Sequence, residues 1–385
     1  MNDPKTVLVL GGGVGGLAAA NRLRKVLPAR HRVVLVDRER QLVFQPSLLW
    51  LAVGDRTPSD IQRPVERLAR KGVEVVIGSI DRIDTATRVV TVGGQDLYGD
   101  AIIVALGADL APETIPGLAE AGHNLYSLAG AISFEHALRT FTGGKIVVLT
   151  ATPAYKCPAA PYEAAMLVEA ALRQRQVRDR VQLEFFAAEP GPMIVTGPLL
   201  SGQVRGMVES KGITYHPEHQ VTSVDPAARR LTFANGATAD FDLLLYVPPH
   251  KAPAVVREAG LLAASGWVAA NRSTFETTVD GIWAIGDVVG IPLAMGKPLP
   301  KAGVFAQAQA EVVADNIASV WAGGAAQRTF DGMGKCFLET GDGKAGYGAG
   351  NFYAEPTPQV ALHQPSRPLH WGRMLLERQW LKRWF

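Results

Sequence analysis

The sequence predicts an α/β protein with two nucleotide-binding halves, and three features of the chain predict it. An apolar strand at 7–10 leads into a glycine-rich turn and then into the helical segment LAAANRLRKVL. A second strand, RVVLVD, follows at the spacing of a parallel βαβ unit and ends in Asp37. A strand meander that begins at Gly72 recurs from Gly212, which indicates that this Rossmann-like plan is duplicated.

The first turn has the glycine spacing of a dinucleotide site. Gly11 permits the tight turn, Gly13 lets the backbone approach a pyrophosphate, and Gly16 lets the helix pack on the strand. The N-terminus of the helix attracts phosphates, and Asp37 stands where an acidic side chain accepts hydrogen bonds from a ribose. The combination predicts an adenine dinucleotide site, with a chance glycine turn as the alternative.

Two later segments indicate that the dinucleotide is FAD. The segment ALGA, with Ala105 and Gly107, closes one strand, and the segment AIGD places Gly286 and Asp287 after another. Both patterns resemble the FAD-binding disulfide reductase superfamily, in which the acidic residue holds the ribityl chain of the flavin. The resemblance implies three-layer ββα domains of the glutathione reductase type. The alternative for Asp287 is an N-cap of the following helix.

The repeat predicts a second nucleotide turn after the strand at 145–150, but the chain there reads ATPAYKCPAAP. No glycine follows until Gly191, and proline supplies neither positive φ angles nor backbone donors. We therefore expect the second half to keep the fold and to have lost its NAD(P)H site. The expected division is an FAD domain at 1–115 and 237–325, a second domain at 116–236, and a C-terminal region at 326–385.

Cys157 lies in this proline-rich loop and is one of two cysteines in the chain. Its neighbour Lys156 and the N-terminal end of the following helix both favour the thiolate. Cys336 lies 179 residues later in the strand-like segment MGKCFLE, so a redox pair must be assembled by the fold. The alternative is two structural thiols in the core.

The whole chain resembles the sulfide:quinone oxidoreductases and the flavin subunit of flavocytochrome c sulfide dehydrogenase. The resemblance rests on the two cysteines and on the segments FQPSLLWLAVGDR, KCPAAPYE, DLLLYVPPHKAP and GDVVGIPLAMGKPLPKAGVFAQAQAE. It implies that sulfide attacks an oxidised or sulfur-bridged pair of Cys157 and Cys336, and that two electrons pass through FAD to a membrane quinone. The sulfur would leave as persulfide or polysulfide, or on an acceptor thiol.

Two charged residues are candidates for roles beside the cysteines and the flavin. Glu163, six residues after Cys157, is a candidate for proton transfer, and a first-turn glutamate that interacts with the helix dipole is the equal alternative. Lys301 in PLPKAG matches the family lysine that places positive charge beside the flavin. The alternative for Lys301 is a solvated side chain.

The chain departs from its relatives at two places. Many sulfide:quinone oxidoreductases have a third cysteine where this chain has the segment 127–129, so the resemblance implies a mechanism with two cysteines. The segment DRERQLVF lacks the cysteine that tethers FAD in the flavocytochrome relatives. We therefore expect noncovalent FAD.

The tail RPLHWGRMLLERQWLKRWF combines tryptophan and leucine with arginine and lysine. This composition predicts a helix on a membrane surface, and packing on the core or on another subunit is the alternative. Such a helix suits a lipid-soluble quinone, for which Phe352 or Tyr353 is a candidate stacking partner. Because the N-terminus enters a strand directly and no run of eighteen apolar residues occurs, we expect a peripheral protein on the cytoplasmic side of the cell membrane.

Composition argues against other classes of partner. The net charge of +3 is too small to indicate nucleic acid, and the eight histidines lack the spacing of metal ligands. A homo-oligomer is compatible with the sequence. The rival functions are a flavin subunit that reduces a cytochrome, a type II NADH:quinone oxidoreductase, and a non-catalytic flavoprotein that senses redox state or docks a partner.

Overall fold

The computed structural model describes residues 3–385. The α-helices are α1 (Val14–Val26), α2 (Leu48–Ala52), α3 (Pro58–Ile61), α4 (Leu118–Ala121), α5 (Leu128–Thr140), α6 (Ala160–Gln174), α7 (Pro198–Glu209), α8 (Ala254–Glu258), α9 (Gly303–Trp321) and α10 (Arg367–Arg383). The strands are β1 (Thr6–Leu10), β2 (Arg32–Asp37), β3 (Gln41–Val43), β4 (Gln62–Pro64), β5 (Glu74–Ile77), β6 (Ile80–Asp84), β7 (Val89–Val92), β8 (Gln95–Tyr98), β9 (Ala101–Val104), β10 (Asp109–Leu110), β11 (His123–Asn124), β12 (Gly144–Thr150), β13 (Val181–Ala187), β14 (Thr214–His216), β15 (Val221–Asp225), β16 (Arg230–Phe233), β17 (Thr238–Asp240), β18 (Leu243–Val247), β19 (His250–Lys251), β20 (Ile282–Ala284), β21 (Met333–Gly341), β22 (Lys344–Asn351) and β23 (Gln359–Ser366).

The first nucleotide-binding half contains a parallel sheet with the strand order β20-β9-β1-β2-β5. Strand β9 is apolar and buried along its whole length, as a strand covered on both faces must be. Helices α1 and α9 pack against each other, and the meander β6-β7-β8 contributes Ile83 and Val90 to the same core. The carboxyl ends of β1 and β2 carry the glycine turn and Asp37, so the polar groups meet at one edge of the sheet.

The second half repeats this plan, and the predicted duplication is confirmed. Its sheet has the order β11-β18-β12-β13-β14 with parallel pairing, and the meander β15-β16-β17 accompanies it. Strand β18, which the expected boundary at 237 placed in the FAD domain, pairs with β12 at the centre of this second sheet. The boundary at 237 is therefore wrong, and the second half extends through β18.

The C-terminal region is an antiparallel sheet, β21-β22-β23, followed by α10. Trp380, Leu381 and Trp384 are buried, and the Trp380 ring lies 4.6 Å from that of Phe44. The prediction that these three residues face a membrane is wrong, because this part of the tail packs on the core of the first half. None of the helices within residues 3–385 is long and apolar enough to cross a membrane.

A second face of α10 is open to solvent. The side chains of Trp371 and Leu375 are 64% and 55% exposed, and Leu376 is exposed beside them. Arg378 and Lys382 lie on the same helix and are also exposed. The helix therefore has a docked apolar face and an exposed apolar face that is flanked by cations.

Candidate active site

The glycine turn after β1 has the conformation that the sequence predicts. Gly11 has a φ angle of +99°, and a Cβ atom there would lie 2.6 Å from the carbonyl oxygen of Ala105. A Cβ atom at Gly16 would lie 1.7 Å from the carbonyl oxygen of Gly11, whereas one at Gly13 would meet no atom within 4 Å. Gly11 and Gly16 are thus required by the protein itself, and Gly13 leaves open space in front of the helix.

Asp37, at the end of β2, is held by the backbone around the turn. One carboxylate oxygen accepts a hydrogen bond from the N–H of Gly12 at 2.5 Å, and the other accepts from Glu39 at 2.8 Å. Burial raises the pKa of Asp37, and these two hydrogen bonds oppose the rise. The side chain is oriented at the position where a ribose would lie beside the glycine turn.

Asp287 follows β20, two strands from β1 in the same sheet, and Lys301 contacts its backbone. Asp287 lies in a 3₁₀ turn, Gly286–Val288, well before α9 begins at Gly303, so the N-cap alternative is wrong. The ammonium of Lys301 donates to the carbonyl oxygens of Asp287, at 2.6 Å, and of Val289, at 2.9 Å. Burial raises the pKa of Asp287, and it lowers the pKa of Lys301 to about 8. The solvated alternative for Lys301 is therefore also wrong.

Trp267 is a neighbour of Lys301 that sequence reasoning missed. The ammonium lies 3.4 Å from the centre of the indole ring, which is a cation–π distance. Trp267 is far from Lys301 in the chain and carries no motif, so no sequence signal links the two residues.

Cys157 lies in the loop before α6, and its backbone is bound on both sides. Its N–H donates to the carbonyl oxygen of Lys301 at 2.6 Å, and its own carbonyl oxygen accepts from the hydroxyl of Tyr126 at 3.0 Å. Its φ angle is 49°, in the left-handed region that non-glycine residues seldom adopt. The loop thus joins the second half to the segment that carries Lys301 in the first half.

The expectation that Cys157 is predisposed to be a thiolate is wrong. Burial raises the pKa of its thiol, and the charges of Cys336 and Glu163 raise it further, while Arg373 opposes them. Burial also lowers the pKa of Lys156, so the adjacent lysine is itself disfavoured as a cation. Desolvation outweighs the helix end and the neighbouring charge that the sequence pointed to.

Cys336 lies on β21 opposite Gly348, and the structure has both cysteines as free thiols. Its thiol donates to the carbonyl oxygen of Phe337 at 3.1 Å. The side chain is accessible to solvent, yet protein surrounds it closely, and this desolvation raises its pKa to about 11. Helix α6, which follows Cys157, packs against β21, which carries Cys336, and a charge on Cys336 raises the pKa of Cys157.

A buried ion cluster, which we call the Arg373 cluster, lies next to the two cysteines and consists of Glu163, Glu339, His370 and Arg373. Glu163 lies in the first turn of α6, where the helix-dipole alternative placed it. It accepts hydrogen bonds from the guanidinium of Arg373 and, at 2.7 Å, from the backbone N–H of Glu339. His370 Nδ1 lies 2.9 Å from a carboxylate oxygen of Glu339. Sequence reasoning found Glu163 alone, because its partners lie far away in the chain.

A model of the pyridine nucleotide-disulphide oxidoreductase family matches residues 5–310. The chain belongs to that family. It is therefore an oxidoreductase, and membership implies a flavin cofactor. The residues present fit one, because the open glycine turn, the oriented Asp37 and the half-buried Asp287 with Lys301 lie at the carboxyl ends of strands in the first sheet.

Individual relatives agree with the resemblance stated from the sequence. The sulfide-quinone reductase of Aquifex aeolicus (strain VF5) is 29% identical over 334 residues, which are 81% of this chain and 76% of that protein. The mitochondrial sulfide:quinone oxidoreductase of Mus musculus is 23% identical over 93% of this chain and 80% of its own length. The X-ray structure of the sulfide:quinone oxidoreductase from Aquifex aeolicus matches with a TM-score of 0.89 at 24% identity, covering 99% of this chain and 91% of that chain.

In this oxidoreductase the second half has a buried carboxylate near the place where a nucleotide turn was expected. Glu189, two residues after β13, accepts hydrogen bonds from Thr150 at 2.8 Å, from Tyr162 at 2.6 Å and from Tyr155. Burial raises the pKa of Glu189, and the three hydroxyls oppose the rise. The side chain that could have met a ribose is thus bound inside the protein, which sequence reasoning did not foresee.

The two aromatic candidates for a quinone differ in their surroundings. Phe352 packs edge to face on Phe305 with 5.0 Å between ring centres. The hydroxyl of Tyr353 donates to the carbonyl oxygen of Arg272 at 2.6 Å, and the Arg272 guanidinium lies 4.2 Å from its ring. Tyr353 is therefore engaged by Arg272, whereas Phe352 lies beside the helix that follows Lys301.

Within residues 3–385, no group of three or more histidine, cysteine, aspartate or glutamate side chains is placed to hold a metal ion.

Proposed function

We propose that the protein is an FAD-dependent sulfide:quinone oxidoreductase that works through Cys157 and Cys336. The observation that carries the proposal is the hydrogen bond from the N–H of Cys157 to the carbonyl oxygen of Lys301, which joins the thiol loop to the segment that we assign to the flavin site. The names of the relatives from Aquifex aeolicus and Mus musculus support the same reaction.

The chemistry begins with the pair in its oxidised form. Hydrosulfide attacks one sulfur, a new S–S bond forms as the Cys157–Cys336 bond breaks, and the products are a persulfide on one cysteine and a thiolate on the other. FAD, which we expect to be noncovalent because the segment DRERQLVF lacks the tethering cysteine of the flavocytochrome relatives, would supply two-electron transfer between the thiols and a quinone. The sulfur leaves as polysulfide or passes to an acceptor thiol.

Within this reaction, the protein's own groups set the charge around the sulfur atoms. Arg373 favours the thiolate on either cysteine, and desolvation by the surrounding protein disfavours it. Glu163 accepts hydrogen bonds from Arg373 and from the backbone of Glu339, so we assign it to holding the site rather than to carrying a proton.

Donor specificity separates this proposal from two of its rivals, the type II NADH:quinone oxidoreductase and the non-catalytic redox sensor. In anaerobic stopped-flow, mixing with micromolar sulfide should bleach the absorbance of the flavin, and mixing with NADH should leave the flavin oxidised. The buried Glu189 and the proline-rich loop support the second expectation. Bleaching by NADH alone would establish the type II NADH:quinone oxidoreductase instead, and bleaching by neither donor would favour the redox sensor.

We further propose that the exposed face of α10 rests on the cytoplasmic surface of the membrane, where a quinone is available, and that Phe352 contacts the quinone.

Deletion of the tail is a poor test, because it also removes the buried residues Arg373 and Trp380. The double substitution Trp371→Glu and Leu375→Glu changes exposed positions alone. It should abolish sedimentation with anionic vesicles, whereas Val320→Glu, at another exposed apolar position, should not. Equal sedimentation of both variants would contradict the assignment.

Analytical ultracentrifugation would show whether the chain is a homo-oligomer.

A further inference from the structure

Arg373 connects three elements that lie far apart in the chain. It lies on α10, Glu163 lies in the first turn of α6, six residues after Cys157, and Glu339 lies on β21, three residues after Cys336. The relative exposure is 8% for Arg373 and 1% for each of the two glutamates. The cluster is thus a buried junction of the two cysteine-bearing segments with the C-terminal helix.

The contacts of the guanidinium fix its position. One nitrogen donates to Glu163, the Nε atom lies 3.8 Å from a carboxylate oxygen of Glu339, and another nitrogen donates to the carbonyl oxygen of Pro46 at 3.2 Å. The group also lies 5.0 Å from the ring of Trp50. The planar fork of arginine therefore bonds on several sides, a geometry that the ammonium of lysine cannot reproduce in full.

Charge makes this arrangement depend on Arg373. Glu163 and Glu339 are buried carboxylates that share Arg373 as a cation, which donates to Glu163 and lies 3.8 Å from a carboxylate oxygen of Glu339. With the arginine removed, the two buried carboxylates lose the cation that they share, and an uncompensated buried charge forces its surroundings to rearrange. The segments that would move are those that carry the two thiols.

We propose that Arg373 is a positioning residue that holds the Cys157 loop against the Cys336 strand through Glu163 and Glu339. The C-terminal helix is then part of the sulfur site as well as a surface element. The inference deepens the proposed function, on which its use in catalysis rests, but the geometry applies to any reaction of the two thiols.

The test measures how readily the two thiols pair. Full-length FAD-loaded protein and its variants are equilibrated anaerobically in excess glutathione buffers at pH 7, where the raised pKa values keep both thiols protonated. Each protein disulfide that forms consumes one glutathione disulfide and releases two glutathione thiols, and intact mass spectrometry counts it. The equilibrium constant then reports geometry rather than thiolate charge.

We expect Arg373→Met to weaken pairing about tenfold or more, and Arg373→Lys to restore part of the loss. The matched control is Arg56→Met. Arg56 lies 4.5 Å from the same Trp50 ring and pairs with Glu377 on α10 at 2.7 Å, but this ion pair does not include Glu163 or Glu339. Its pairing constant should stay within about twofold of the wild-type value.

Three outcomes would overturn the inference. They are a wild-type protein whose thiols do not pair, an Arg373→Met variant that pairs as the wild type does, and an Arg56→Met variant with an equal loss. If Arg373→Met does not fold, Glu163→Gln keeps the shape and the acceptor for Glu339, and we expect it to weaken pairing about threefold. An unchanged pairing constant for Glu163→Gln would also overturn the inference.

The result is independent of the donor, because the experiment contains neither sulfide nor quinone. Failure of the proposed function would appear as wild-type flavin that sulfide does not bleach, while the effect of Arg373 on pairing persists. Failure of the inference would appear as unchanged pairing in a protein that sulfide still reduces.

Discussion

The two nucleotide-binding halves have the same strand plan and differ at the positions where a nucleotide would touch them. After β1 the chain turns through Gly11 and Gly16, whereas after β12 it runs through a proline-rich loop that presents Cys157. The first turn leaves open backbone in front of α1. The second fills that space with side chains, one of which is a thiol.

The acidic residues at the second strands differ in the same way. Asp37 is bound by backbone N–H groups at the carboxyl end of β2, and Glu189 is bound by three hydroxyls inside the protein. After the last central strand, Gly107 of the first half corresponds to Pro249 of the second. The comparison teaches that a duplicated fold can keep its sheet while each ligand contact is replaced, because the sheet depends on strand packing alone.

The largest effect is expected at the cysteine of the second half. Cys157→Ser should slow reduction of the flavin by sulfide about a thousandfold or more, because a hydroxyl cannot form the S–S bond that the reaction needs. Flavin content should not change, since the substitution lies outside the glycine turn of the first half. Stopped-flow absorbance and a flavin assay measure the two quantities. Rapid reduction in this variant would remove the paired-thiol chemistry.

The next effect separates two glycines of the first half. Gly16→Ala places a Cβ atom 1.7 Å from the carbonyl oxygen of Gly11, so we expect about 3 kcal/mol of lost stability and loss of flavin. Gly13→Ala meets open space and should keep the stability of the flavin-free protein while weakening flavin binding. Urea unfolding of flavin-free protein and fluorescence titration with FAD separate these outcomes. Equal unfolding midpoints would contradict the packing role of Gly16.

A pH effect is expected at His250, which corresponds to Ala108 of the first half. Burial lowers the pKa of His250 to about 3, while its Nδ1 atom lies 2.9 Å from the carbonyl oxygen of Pro248. The folded protein therefore keeps the ring neutral, and its contribution to stability is full above the unfolded pKa near 6.5 and is lost as the pH falls toward 3. Between pH 7.5 and pH 5 the wild type should lose about 2 kcal/mol more than His250→Gln.

Chemical denaturation at both pH values provides that measurement for His250. The corresponding first-half substitution, Ala108→Gln, serves as the control for the added side chain, because it introduces no titrating group. A His250→Gln variant with the same pH dependence as the wild type would show that the folded protein accepts a proton on His250.

The smallest effect is expected at Tyr155. Tyr155→Phe removes one of three hydroxyl donors from the buried Glu189, and we expect a loss of about 1 kcal/mol in the free energy of unfolding. Tyr98→Phe, at an exposed side chain, should cause no change. Urea unfolding at pH 7 measures both. An unchanged free energy of unfolding in Tyr155→Phe would mean that the Tyr155 hydroxyl does not stabilise the buried carboxylate of Glu189.

Local signals predicted the parts of the fold that depend on local residues. The apolar strands, the glycine turn and the helix after Cys157 are where the sequence predicts them. Backbone conformation and strand burial are determined by residues that are neighbours in the chain. The boundary at 237 was wrong although the repeat itself places the strand at 243–247 in the second half. The number of strands in each repeat therefore locates the end of the second half better than the assignment of sequence motifs to domains does.

Long-range contacts could not be predicted in the same way. Trp267, Glu339 and Arg373 act through partners that are tens to hundreds of residues away, and no spacing rule connects them. The tail shows the same limit, because its composition fits both a membrane and a protein core. The fold assigns Trp380 to the core and Trp371 to the surface, on opposite faces of one helix.

The hydrogen bond between Cys157 and Lys301 also limits how the molecule can move. It crosses from one half to the other, so any rotation between the halves must first break it. The amide hydrogen of Cys157 should therefore exchange with solvent only when the halves separate, which makes it a natural probe of that opening. Under the proposed function, the second half binds no bulky nucleotide and has no need to open widely in each cycle, so a small anion can diffuse to a thiol that stays in place.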